Sequence, residues 1–129
     1  MERRVEILNI AGAVMTMGMG CLGLIFPQRA AAFTGLEAVT IPGRSEFRST
    51  FGGLFLLAGL VPLVTMQPAA FLTLGLGWAG AASGRVISIL ADNANDPKNW
   101  IAVAFEATFA ALLLLGSPFS LLLETIEQV

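Results

Sequence analysis

Hydrophobic residues gather into four stretches along the chain, at about residues 5–26, 45–66, 69–90 and 97–123. Each has roughly the ~20 residues that a helix needs to cross a bilayer. Pro27 closes the first, because its ring cannot continue a helical hydrogen-bond ladder. That stretch outruns the ~7–15-residue apolar core of a signal peptide, so it is expected to persist as a span, although Arg29-Ala30-Ala31-Ala32 has the small residues of a cleavage site. Residues 28–36 are too short to span and predict an interfacial turn of helix ending at Gly35. Ile41-Pro42-Gly43 is a loop signal, and Ser45 is a good N-cap for the second helix, which runs to Met66 with a kink expected from Pro62. Gln67-Pro68 is so short a link that the second and third helices are expected to form an antiparallel hairpin. After the polar loop 92–99, Asp96 can cap a helix whose first residue is Pro97; Gly116-Ser117-Pro118 interrupts that last stretch.

The pattern predicts an all-α chain: an integral membrane four-helix bundle, one domain over 1–129, antiparallel in sequence order with both termini on one side. Composition agrees with the class, since only 12% of residues are charged against about 25% in soluble domains, and mean hydropathy is +0.80. The lipid bilayer is therefore the first expected partner. A net charge of -2 with seven Lys and Arg lacks the clustered basic surface that phosphate backbones require, so no nucleic acid is expected. Arg29, Arg44 and Lys98, with Arg48 at the membrane edge, fall on the loop side and Arg3 and Arg4 on the side of the termini. That balance favours cytoplasmic loops, whereas the Met-Glu-Arg-Arg start argues the other way.

Charged residues inside the apolar stretches are the most specific chemistry. Arg85 lies about six residues before the end of the third stretch and Glu106 about six after the start of the fourth, so both sit roughly 9 Å from the same face. An unpaired charge in hydrocarbon costs at least about 2.5–3.5 kcal/mol, which makes an Arg85–Glu106 pair the cheapest arrangement. Glu46 and Arg48 enter from that face at the start of the second stretch, and the four charges cancel. Glu46, Arg48, Arg85 and Glu106 are therefore the candidate ligand-binding residues, for a headgroup, an ion or a proton; the alternative is an ion-pair network that fixes helix register.

Small residues give a second signal. Gly52-Gly53 follows Arg48 by one turn, and Gly80 and Gly84 form a Gly-x-x-x-Gly segment directly before Arg85, both suited to close helix packing within the chain or across a dimer seam. Other signals point to ordinary structure. Met15, Met17, Met19 and the lone Cys21 spread around a helix cylinder, the Asp92–Asp96 loop lacks the glycine and terminal glutamate of an EF-hand, and there is no histidine. No metal site, cofactor or catalytic residue is assigned. Trp100 suits the interfacial aromatic belt, and Trp78 packing within the bundle or against lipid.

Glu46-x-Arg48-Ser49-Thr50-Phe51-Gly52-Gly53, then Gly84-Arg85-x-x-Ser88 with Asp92, then Glu106, resembles the small bacterial four-helix membrane proteins catalogued as domain of unknown function 4345. The stretch from Pro27 to Gly35-Leu36 is similar to that family's first loop. Phe51 stands where members often have tyrosine, so a phenolic hydrogen bond is absent here, and Asp92 is followed by asparagine rather than glycine. The resemblance implies a four-helix topology and, by its source, a bacterial cytoplasmic membrane. It brings no activity with it.

Three functions fit. The first is a non-enzymatic accessory or assembly subunit of a membrane complex, or a homo-oligomer. The second is a binder or carrier of a lipid, quinone or other hydrophobic small molecule, its polar head held by Arg48 and Arg85. A membrane enzyme ranks third, since carboxylates and arginines supply acid and base but no evident nucleophile.

Overall fold

The computed structural model describes residues 5–129, and Arg3 and Arg4 of the charge balance above lie outside them. The described residues form six helices and no strand: α1 (Ile7–Ile25), α2 (Pro27–Thr34), α3 (Ile41–Thr65), α4 (Pro68–Ala91), α5 (Pro97–Leu114) and α6 (Ser117–Glu127). Three of them, α1, α3 and α4, are long and apolar enough to cross a membrane, and α5 with α6 make a fourth candidate if their 81° bend is taken as a break within one span. The chain divides into two compact units, Ala13–Thr65 and the remainder, in which residues up to Gly12 join Met66–Val129.

In the Ala13–Thr65 unit, α2 ends as expected at Gly35, whose φ of 76° is the left-handed conformation that glycine adopts freely, with its N–H returned to Ala31 and Ala32. Helix α3 starts ahead of Ser45. Thr40 is the N-cap, its hydroxyl accepting from the Gly43 N–H, and Ile41-Pro42-Gly43 forms the first turn rather than a loop. Proline at that position gives up only a donor that has no helical partner, which is why the loop signal misleads. The middle of α3, Phe47–Leu54, is a π-helix. Such a wider turn is rare and is found mostly where function or tight packing demands it. Phe47 packs with Ala30, Ala31 and Ala38, flanked by Leu22 and Phe51, and the Phe47 and Phe51 rings stack at 4.4 Å.

Glycines let α3 lie directly on α1 in this unit. A Cβ on Gly59 would stand 2.6 Å from the Ala13 carbonyl oxygen and the Met17 nitrogen, and one on Gly52 would stand 2.9 Å from the Leu24 backbone. From the α1 side, Gly20 meets the backbone of Leu56 and Gly23 that of Phe51. Backbone against backbone is the packing that small residues make available in a membrane.

In the other unit, contacts climb α4 as they descend α5: Arg85 with Glu106, Trp78 with Phe109, Gly75 with Leu114. Asp96 caps α5 as expected, accepting from the Lys98 N–H at 2.8 Å. Phe71, Phe109 and Leu113 are among the largest fully buried side chains. The last apolar stretch is not one helix. It breaks after Leu114, and Gly116, with φ 73°, turns the chain into α6.

Candidate functional site

Arg85 is held by the fork of its own guanidinium. Its Nε donates to both Glu106 carboxylate oxygens at 3.2 and 3.1 Å, one terminal nitrogen donates to Glu106 Oε1 at 2.8 Å, and the other donates to Asn99 Oδ1 at 3.3 Å. Asn99 and Glu106 stand two turns apart on one face of α5, so a single arginine from α4 reaches both. The Asn99 amide nitrogen in turn donates to the Ala94 carbonyl at 2.8 Å, which fixes the amide with its oxygen toward Arg85. The Glu106 side chain is one tenth exposed and that of Arg85 30% exposed. One turn along α5 from Glu106, Phe109 meets Trp78 edge-on at 4.7 Å and Phe105 at 4.5 Å. The ion pair thus lies between an aromatic layer and the polar turn that begins α5. Ser88, one turn beyond Arg85, donates to Asp92 Oδ2 at 2.7 Å and ties down the end of α4.

Glu46 and Arg48 belong to the other unit. The Thr50 hydroxyl donates to Glu46 Oε1 at 2.7 Å, and the Arg48 guanidinium donates to the Leu24 carbonyl. Leu24 is in the last turn of α1, where carbonyls lose their helical partners, and an arginine is well suited to take one. Arg48 thereby caps α1 from the π-helical segment of α3. Gly52 backs onto the same leucine, whereas Gly53 has only the Arg48 carbonyl near it, at 3.9 Å from a would-be Cβ. Gly80 and Gly84 have nothing within 4 Å of that position.

Sequence reading passed over Asn9. It is fully buried, and its amide nitrogen donates to the carbonyls of Leu112, Leu113 and Leu115 at 2.8, 3.2 and 3.1 Å, while its Oδ1 accepts from the Glu6 N–H at 2.9 Å. These are the carbonyls that α5 sets free where it breaks. Within a membrane no water could take them, and the chain supplies a donor of its own. The signal was a lone amide in an apolar stretch, legible only together with the Gly-Ser-Pro interruption about 100 residues on. Trp100 is half-exposed, with its indole N–H on Asn95 Oδ1 at 2.8 Å, and Trp78 is buried. Among the described residues no group of three or more Cys, Asp or Glu side chains is gathered as a metal site.

These features define a class: an α-helical chain whose described residues include three to four helices fit to span a membrane, a buried ion pair, and helix ends capped by side chains. Within that class the chain belongs to the family described as Domain of unknown function (DUF4345), whose model matches residues 5–117. No curated protein and no solved structure matches it.

Proposed function

We propose that the protein is a four-span subunit of a bacterial cytoplasmic membrane, antiparallel in sequence order with both termini on one side, serving as an accessory or assembly partner in a larger complex or as a homo-oligomer. One observation carries this reading. The most specific intramembrane chemistry is spent inside the chain, because Glu106 takes three of Arg85's hydrogen bonds and Asn99 a fourth. Such a pair locks the register of α4 on α5 and leaves no net charge to draw an ionic substrate. The opposed course of α4 and α5 supports the antiparallel order. Asn9 supports the placement of the termini, since its bonds put the start of α1 level with the end of α5.

A second reading, a binder of a lipid, quinone or similar molecule, draws on the 30% exposure of Arg85. A guanidinium has five N–H donors, so Arg85 keeps donors beyond those its partners use. Native mass spectrometry from mild detergent or nanodiscs separates the two. A dimer, a higher oligomer or a co-purifying protein supports the subunit. A monomer carrying one small molecule, lost on Arg85→Lys with the fold intact, overturns it in favour of the binder.

A further inference from the structure

The last helix divides its surface three ways. Pro118 is buried and Leu121 and Leu122 half-buried, on the side facing its neighbours α4 and α5. Phe119, Leu123 and Ile126, at spacings of four and three, form a second strip that the chain leaves 49%, 46% and 61% exposed. Ser120, Glu124 and Glu127 repeat that spacing one residue later and make a third, polar strip. At 100° per residue the three strips lie side by side around the helix. An apolar strip beside an acidic one does not suit a helix inside hydrocarbon, where desolvating a carboxylate is costly even when it is paired. Nor does it suit a water-surrounded helix, which would not display Phe, Leu and Ile together.

Orientation supplies an independent argument. Helix α5 has 18 residues, ~27 Å of rise, and in the proposed four-span arrangement it is the crossing segment of the last apolar stretch. The chain then turns by 81°, and that turn is built in: Gly116 adopts φ 73°, Pro118 ends the ladder, and Asn9 holds three freed carbonyls. A helix at 81° to a spanning one runs along the membrane plane. The family match ends at Ser117, the first residue of α6.

We infer that α6 is an interfacial helix whose partner is the lipid surface, with Phe119, Leu123 and Ile126 sunk among the acyl-chain ends and Ser120, Glu124 and Glu127 directed to water. The inference rests on the membrane-spanning part of the proposed function and is independent of its oligomeric part. In a Cys21→Ser background, single cysteines at 119, 120, 123, 124, 126 and 127 are spin-labelled in the full chain. The chain is reconstituted into phosphatidylcholine vesicles, with a seventh label at Leu76 in mid-α4 as reference. Collision with oxygen reports lipid, and with a water-soluble nickel chelate reports water. The expected result is an oxygen-to-nickel ratio that oscillates along α6 with a 3.6-residue period, high at 119, 123 and 126, all shallower than 76, and with no gradient from 119 to 127. Depth that increases steadily along α6 marks a re-entrant or broken span and overturns the proposal, as does nickel access at all six positions. Labels at 119, 123 and 126 shielded from both reagents would mean a protein partner, which also overturns it. Should position 76 itself be in water, the membrane-spanning reading fails, and this failure is distinct from the others.

Discussion

Glu106 answers to one partner, and that makes it the residue whose loss is easiest to interpret. Glu106→Gln keeps the side-chain shape and one acceptor oxygen but leaves the charge of Arg85 without its counter-charge. Breaking a buried pair from one side costs about 3–5 kcal/mol, and the exposure of Arg85 puts this case near the lower end. Thermal unfolding in detergent should therefore show a large drop for Glu106→Gln and little change for Glu127→Gln on the exposed side of α6. Asn9→Leu should also destabilise, by about 1–3 kcal/mol, because three carbonyls at the end of α5 lose their donor. Equal melting temperatures for Asn9→Leu and wild type would remove Asn9 from this role. The two residues differ in how they could be found. Arg85 and Glu106 are legible because both are charges in apolar stretches at matching depth on either side of a short loop. Asn9 is a neutral amide, and its partners are backbone atoms that carry no sequence signature.

At the level of elements, glycines separate into those that something presses against and those that nothing does. Gly59→Ala would drive a methyl group into the Ala13 and Met17 backbone, and overpacking of this kind costs about 1–3 kcal/mol because backbone cannot swing aside. Gly80→Ala meets open space and should raise helix stability by up to ~1 kcal/mol. Melting curves of the two variants should thus move in opposite directions. If Gly80→Ala instead halts oligomer formation in native mass spectrometry while the monomer stays folded, its helix face is a seam between copies. The sequence shows where glycines are and not what they touch. Gly20, Gly23 and Gly59 stand as single residues in apolar stretches and draw less notice than Gly-x-x-x-Gly, yet the α1–α3 contact uses them. Helix caps proved more legible: Asp96-Pro97 and Gly35 act as their residue types predict. Thr40 was missed because Pro42 and Gly43, two and three residues after it, imitate a loop, and no local pattern announces the π-helical turn.

For the whole molecule, the open quantity is the number of crossings. Four apolar stretches are plain in the sequence because hydrocarbon demands length and apolarity and little else. The bend at Gly116 is visible as a break, but its angle depends on contacts between α6 and the helices before it, which no local signal contains. If α5 completes the fourth crossing before the turn, Gln67 and Glu127 lie on one side of the membrane and Leu36 and Asn93 on the other. Single cysteines at these four positions, again without Cys21, can be tested in sealed right-side-out vesicles with a membrane-impermeant maleimide, before and after permeabilisation. The expected outcome is that 67 and 127 react together and 36 and 93 react together, in opposite conditions. Were 127 to react with 93, the last stretch would not cross, the count would fall to three, and α5 with α6 would form a re-entrant pair. The Arg85–Glu106 bonds would survive that result, since they need only the two helices flanking the loop, whereas the common side for both termini would not.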